Sequence, residues 1–223
     1  MNTQVSENPG KNREKLSMCL IIITSLMITL YITSNVMAVK IISICGLSLF
    51  DAGTITFPFA YMLGDVLTEI WGFKTARRVI FLTFFCNIIF MLFTAVGTYL
   101  PYPEYMQGTA DAYRTVFGYV PRIVIASLLG FLTGELSNAW AMEKIKKATR
   151  GRHMWLRTIG SSAVGYLFDT VLFVIAAFYG TAPAGDLLSM IVIQYAVKII
   201  IEALGGTPLA YGIVAKIRKH CEV

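Results

Sequence analysis

Charge is scarce in this sequence: 14% of its 223 residues are Asp, Glu, Lys or Arg, against about 25% in an ordinary soluble domain. Histidine is rarer still, with His153 and His220 alone, and both fall in basic stretches outside the apolar runs. The four cysteines, Cys19, Cys45, Cys86 and Cys221, have no metal-type spacing and are expected to act as small apolar residues, at least two of them inside apolar runs. No His-Glu-x-x-His or Gly-x-Ser-x-Gly pattern occurs, and no Walker-type Gly-rich loop. These absences remove the usual equipment of metalloenzymes, serine hydrolases and nucleotide-driven motors. No catalytic residue, cofactor or metal is expected, and the chain reads as a protein that is not an enzyme.

What fills the sequence instead is apolar: 56% of residues are hydrophobic and the mean hydropathy is +0.66. A bilayer-crossing helix needs roughly 20 mostly apolar residues. Apolar runs punctuated by Gly, Pro and charge predict an all-α bundle of six transmembrane helices near 17–39, 54–73, 78–100, 121–142, 157–180 and 187–215. Residues 1–16 read as a short disordered tail rather than a cleaved leader, and 218–223 as a second tail. The formal charge of +6 does not point to nucleic acid, because the basic residues sit between the runs instead of forming an aromatic-laced patch.

Those basic residues set the orientation. Lys11, Arg13 and Lys15 precede run one, and Lys74, Arg77 and Arg78 follow run two. Lys144, Lys146, Lys147, Arg150, Arg152 and Arg157 follow run four, and Lys216, Arg218 and Lys219 follow run six. The other connectors carry Lys40, Arg114 and Arg122. The asymmetry predicts a multi-pass protein with both termini cytoplasmic. Tyr99–Val120, rich in Pro and Tyr, and the Gly-Pro-Gly turn of Tyr179–Asp186 read as external connectors.

Ionisable side chains deep in a bilayer cost roughly 2.5–3.5 kcal/mol each on insertion scales, so each is a functional candidate. Asp65 and Glu69 in run two, Glu135 in run four, Asp169 in run five, and Lys198 and Glu202 in run six make five acids against one base. Asp65 and Glu69 are four residues apart and share a helix face, as do Gln194, Lys198 and Glu202. Lys198 beside Glu202 or Asp169 would keep both partners charged, and a structural ion pair is the plain alternative. For Glu69, near Lys74 and Arg77, an interfacial salt bridge competes with a binding role. Asn35, Asn87 and Asn138 add amides. Pro58 and the Gly205-Gly206-Thr207-Pro208 sequence interrupt two runs, which points to a cavity beside them. Phe57, Phe59, Tyr61, Trp71, Tyr166, Phe168, Phe173 and Tyr195 place aromatic faces near the polar positions. Acids, amides and aromatic faces together suit a flat heterocycle rich in N–H donors. A short similarity between Ala60–Asp65 and Gly165–Asp169 is a faint hint of two three-helix halves of opposite topology, but the match is short and chance similarity between aromatic-rich runs is the better explanation.

Four segments carry a resemblance to a known family: Thr56–Tyr61 running into Gly64–Gly72, Ala126–Leu129, Trp155–Arg157 leading to Asp169, Thr170 and Phe173, and Lys198–Pro208 with Tyr211. With them the chain resembles the queuosine precursor transporters of the vitamin uptake transporter type, six-span proteins of the bacterial inner membrane, over about 30–218. The resemblance implies import of a 7-deazapurine, such as 7-cyano- or 7-aminomethyl-7-deazaguanine, for queuosine modification of tRNA. It directs substrate binding to Asp65, Glu69, Tyr61, Asp169, Asn138, Gln194, Lys198 and Glu202, with Arg157 and Glu135 in positioning or ion-pair roles. The chain departs from the pattern at Gly134–Asn138, where an Asp near 138 is expected in relatives and Asn138 stands instead. The expected partners are the small-molecule substrate and the lipid bilayer. Self-association or an energising partner is left open. The competing reading is a substrate-binding subunit docked to a separate ATP-driven energy-coupling module. A cation channel with an acidic lumen is a further alternative.

Overall fold

The computed structural model describes residues 9–44, 47–117, 121–150, 152, 154–180 and 184–221. Cys45, residues 1–8 of the expected tail and the Thr181–Pro183 part of the Gly-Pro-Gly turn lie outside the described residues.

The apolar runs become long helices: α1 (Pro9–Met37), α2 (Gly53–Trp71), α3 (Phe73–Tyr99), α5 (Pro121–Ala148), α6 (Met154–Phe178) and α7 (Ala184–Ile201). The last continues through a π turn (Glu202–Gly206) into α8 (Thr207–Cys221). Among the described residues, four stretches are long and apolar enough to cross a bilayer by themselves: Asn12–Met37, Phe73–Tyr99, Met154–Ala177 and Leu187–Cys221. The two other long helices, α2 and α5, carry Asp65, Glu69, Glu135 and Asn138, which lower their hydropathy. Protein rather than lipid surrounds those side chains. The chain is thus an α-helical, multi-pass membrane protein.

Its surface is inverted relative to a soluble protein. Phe85, Leu92 and Phe93 of α3, Ile21 and Leu26 of α1, and Leu188, Val192, Ile200 and Leu204 of α7–α8 are exposed, while Asp65, Glu69, Glu135, Asn138, Arg157, Asp169, Gln194, Lys198 and Glu202 are buried. Phe168, expected beside the polar groups, instead points outward with half its surface exposed. Trp140 and Trp155 at one end of the bundle, and Tyr99, Tyr105 and Tyr179 at the other, are exposed as interfacial aromatics are.

Several boundaries differ from the expectation. Residues 9–16, placed in the disordered tail, form the first turns of α1, and α8 runs on to Cys221. Basic residues end no helix by themselves, so these helices continue beyond their apolar portions. Gly72, at φ 78°, makes the turn that separates α2 from α3, and α3 therefore begins at Phe73, ahead of the expected 78. The first connector is not irregular: β1 (Ile41–Ile44) and β2 (Leu47–Asp51) pair as an antiparallel hairpin, a small exception to the all-α expectation. In the second external connector a 3₁₀ turn (Glu104–Met106) leads into the amphipathic helix α4 (Gln107–Phe117), which packs on α3 through Tyr113, whose hydroxyl donates to the Thr94 carbonyl at 3.3 Å.

The break in run six has a definite cause. Pro208 has no N–H to offer the Leu204 carbonyl. The ladder widens ahead of it, and the Thr207 N–H reaches the Glu202 carbonyl in an i→i+5 bond. Single π turns of this kind are frequent at functional sites. Pro58, by contrast, is accommodated inside a continuous α2.

The most intimate helix pair is α5 with α6. A Cβ on Gly134 would stand 3.0 Å from the Gly165 carbonyl oxygen, and one on Gly165 would stand 2.8 Å from that of Gly134. Small residues at this spacing let two backbones touch where lipid offers no hydrophobic drive for association. The Gly134→Val substitution is expected to destabilise the folded protein by about 1–3 kcal/mol or more through overpacking. The check is thermal unfolding in detergent: a clearly lowered midpoint is predicted, and an unchanged one would contradict the close crossing.

Candidate functional site

Spacings of three and four along α2 place Thr54, Phe57, Tyr61, Asp65 and Glu69 on one face. At 1.5 Å per residue this face is about 22 Å long. Opposite it, α6 contributes Arg157, Ser161, Tyr166 and Asp169, and α7 with its π turn contributes Gln194, Lys198 and Glu202. Together they form a polar column through the apolar bundle, in three layers.

At the basic end, Glu69 is held by three cations from three helices. Arg157 of α6 lies 3.0 Å away, Arg218 of α8 2.8 Å and Lys146 of α5 3.3 Å. The Lys146 ammonium also donates to the Glu69 carbonyl oxygen at 2.9 Å, and Arg157 donates to the Arg152 carbonyl oxygen at 3.1 Å. The backbone N–H of Trp155 donates to the Tyr211 hydroxyl, which ties the start of α6 to α8. The salt-bridge alternative for Glu69 is what the geometry displays, although its cations are Lys146, Arg157 and Arg218 rather than Lys74 or Arg77. Basic residues from two sequence clusters thus converge on Glu69, and Lys15 of a third lies at the same end, its ammonium 3.5 Å from the His220 carbonyl oxygen.

The central layer is acidic. One Asp65 oxygen accepts from the Asn138 amide at 2.9 Å and the Ser161 hydroxyl at 3.5 Å. Glu202 accepts from the Tyr166 hydroxyl at 3.0 Å, and a Cβ on Gly206 would meet the Glu202 carboxylate at 2.6 Å, so the acid folds over the glycine of its own π turn. Tyr166 in turn packs on Tyr61 with ring centroids 4.5 Å apart. The two segments of the suspected internal similarity therefore face each other at Tyr61 and Tyr166. Glu135 is fully buried here, but it makes no ion pair among the described residues, contrary to its expected pairing role.

Toward the hairpin end, Lys198 pairs with Asp169 at 2.5 Å, donates to the Thr170 hydroxyl at 3.3 Å and lies 5.3 Å from the centroid of the Phe57 ring. Of the two partners open to Lys198, the structure selects Asp169 and leaves Glu202 to Tyr166. One turn further on, the Gln194 amide donates to Asp51 at 3.1 Å and to the Thr54 hydroxyl at 3.3 Å. A small cavity of about 10 Å³ is lined by Ala38, Asp51, Phe57, Ser127, Asp169, Phe173, Gln194 and Lys198. That is about the room one water needs. Behind it a polar chain links the helices: Ser127 donates to Asn35 at 2.7 Å, Asn35 donates to Asn87 at 2.9 Å, and Tyr31 donates to the Ser127 carbonyl at 3.2 Å.

Asp51 is the missed acid of the site, and Thr54 and Ser161 were missed with it. Asp51 sits at the end of β2 and accepts from the Thr54 backbone N–H at 3.1 Å and its hydroxyl at 3.0 Å, as an N-cap acid does. An Asp three residues before a Thr at the head of an apolar run was the available signal. Ser127, inside one of the resemblance segments, was named only for its sequence.

With this geometry in place the comparisons with known proteins fall into line. The family model described as "Putative vitamin uptake transporter" matches residues 51–213, from Asp51 of the cavity to beyond the π turn. A "Probable queuosine precursor transporter" of Bacillus subtilis (strain 168) is 30% identical over 181 residues, which cover 81% of this chain and 78% of the relative. One of Haemophilus influenzae is 28% identical over 74% of this chain and 68% of the relative. The "Queuosine precursor transporter" of Escherichia coli (strain K12) is 28% identical over 72% of this chain and 71% of the relative. The chain belongs to this family, the queuosine precursor transporters of the vitamin uptake transporter type. The relatives carry the names of transporters and not of enzymes. No solved structure matches the chain.

The Asp169–Lys198 pair gives a stability test. Lys198→Met leaves an unpaired carboxylate in the bundle and is expected to cost about 3–5 kcal/mol, whereas Lys198→Met combined with Asp169→Asn should recover most of that loss. Unfolding midpoints of the two variants and wild type decide it. Equal losses in the single and double variants would mean that the pair is not coupled.

Proposed function

We propose that this protein imports a 7-deazaguanine precursor of queuosine across the bacterial inner membrane, and that the substrate binds in the cavity between α2 and α7 at the Asp169–Lys198 pair. The observation that carries this reading is a buried acid, base and amide set between the side chains of Phe57 and Phe173. A 7-deazaguanine ring is flat, so aromatic faces suit it. Its ring N–H and exocyclic amine form an edge that a carboxylate accepts in bidentate fashion, and its carbonyl accepts from an ammonium. Asp169 and Lys198 offer those two functions side by side, and Gln194 with Asp51 offers an amide and an acid one turn away.

The ion pair holds both groups in place before the substrate arrives. A base entering the cavity takes one Asp169 oxygen from Lys198, and Lys198 turns to the base's carbonyl. Charge therefore stays paired throughout, which limits the desolvation cost. The cavity has room for about one water, so α7 and α2 must separate for a base to enter. Pro58 and the π turn at Glu202–Gly206 are the weak points of the two backbones that permit such a movement. Asp65, Asn138, Tyr61 and Glu202 lie on the continuation of the column and form the inward path. Glu69, with Arg157, closes its basic end as a lock rather than as a substrate ligand.

We place the protein with six helices across the membrane, α1, α2, α3, α5, α6 and α7–α8, and both termini in the cytoplasm. The convergence of Lys146, Arg157 and Arg218 on Glu69, with Lys15 near His220, supports one basic, cytoplasmic end.

The test is expression in bacteria unable to make or import 7-deazaguanine precursors, each precursor being supplied in turn, with queuosine in tRNA as the readout. Wild type is expected to restore queuosine at low external precursor, and Asp169→Asn to reduce uptake by about tenfold or more, as expected for loss of a charged hydrogen-bond partner. Full queuosine with Asp169→Asn would remove the site. Uptake only when an ATP-driven module is co-expressed would assign the chain to the energy-coupling alternative.

A further inference from the structure

Glu135 stands apart from every other acid in the column. It is fully buried, and neither of its carboxylate oxygens has a hydrogen-bond partner among the described residues. Asp65 keeps Asn138 and Ser161, Glu202 keeps Tyr166, Asp169 keeps Lys198, and Glu69 keeps its three cations. The space that Glu135 occupies is made by Gly64 of α2, where a Cβ would stand 2.5 Å from the Glu135 carboxylate. The Tyr61 hydroxyl, one Asp65 oxygen and one Glu202 oxygen beside it also lack partners among the described residues, and all three residues are buried.

The titratable groups that Glu135 faces are Asp65 of α2, Asp169 of α6 and Glu202 of the π turn, with Tyr61 of α2 and Tyr31 of α1 also within electrostatic reach. The remaining helix packed on α5 is α3, which brings the buried neutral side chains Thr83 and Asn87. No cation faces Glu135 in this set: Lys198 is engaged by Asp169 and Arg157 by Glu69. Like charges in so dry a space cannot all be ionised, and Glu135 is the acid with nothing to stabilise its anion. Among the described residues no group of three or more His, Cys, Asp and Glu side chains converges as metal ligands do.

We propose that Glu135 is a proton-binding site that couples uptake to the transmembrane pH gradient. The inference rests on the uptake function proposed above and adds its energy source. One proton from outside binds the Glu135 carboxylate and makes it neutral, which lets α2, α5 and the π turn close around it. When the inward path opens and water reaches the layer, the O–H bond breaks and the proton leaves to the cytoplasm. The cycle carries one proton in with each substrate. Glu135 sits one residue from Gly134, against which the Asp169 side chain packs, so the proton site and the substrate site share a wall.

The experiment uses the full-length protein in proteoliposomes with labelled 7-cyano-7-deazaguanine. Without a gradient, wild type and Glu135→Gln are both expected to exchange internal for external substrate at comparable rates. With the inside alkaline, wild type should accumulate substrate, up to about tenfold per unit of gradient, and Glu135→Gln should not. The exposed Glu143→Gln, from the surface pair with Lys147, should behave as wild type. Gradient-driven accumulation by Glu135→Gln, loss of exchange in folded Glu135→Gln, or accumulation driven by sodium instead of protons would each overturn the proposal. A second readout needs no substrate. Infrared spectroscopy of the purified protein should reveal a protonated carboxyl band that Glu135→Gln removes, and an unchanged band would overturn the proposal even if wild type transports nothing. Absence of exchange in wild type would count against the uptake function, while the infrared result would still decide the role of Glu135.

Discussion

A carboxylate inside a bilayer-spanning bundle has no bulk water to stabilise it, so its charge must be met by the protein or given up. The arrangement of this molecule follows from that constraint. Glu69 is met by three cations, Asp169 by one, Asp65 by an amide and a hydroxyl, and Glu202 by a tyrosine. These partners come from different helices, and meeting the charges therefore fixes the helices relative to one another. The apolar faces of α1, α3 and α7 can then be left to lipid, where they add little specificity of their own.

The same constraint separates the rigid parts from the movable ones. The glycine-lined contact of α5 with α6 brings two backbones together and leaves no slack around Asp169 or Asn138. Across the column, α2 carries a proline, which lacks one backbone donor, and α7 passes through a π turn, so the opposing wall has the weaker backbone ladder. The proposed substrate cavity lies between this rigid pair and a wall made of a proline-containing helix and a helix with a π turn, a placement suited to opening and closing. The surrounding ion pairs, which exchange partners at little cost in unpaired charge, suit that movement.

Most of the helical fold could be read from hydropathy, because apolar runs of bilayer length leave a chain few alternatives to helix. The acids were legible too, since each is conspicuous in a run of Leu, Ile and Phe. Their partners were not. Nothing in the spacing along run six says whether Lys198 turns to Glu202 on its own helix or to Asp169 across the bundle, since that choice is made by the α5–α6 crossing and the π turn. Asp51 escaped because it lies outside the apolar runs, in a hairpin whose short strands carry no strong pattern. Glu69 looked like its neighbour Asp65, yet one further turn takes it from the acidic centre to the basic end, where Lys146, Arg157 and Arg218, all far from it in sequence, meet.

The central claim is that a buried acid–base pair in this column recognises a 7-deazaguanine base. Equilibrium binding of 7-cyano-7-deazaguanine to the purified protein, with the thermal midpoint followed at rising ligand concentration, tests it most directly. A ligand that binds the folded state alone raises the midpoint progressively as its concentration exceeds the dissociation constant. The account predicts saturable binding and such a rise for the 7-deazaguanine precursors, and neither for adenine. A folded protein that binds none of the precursors would contradict it.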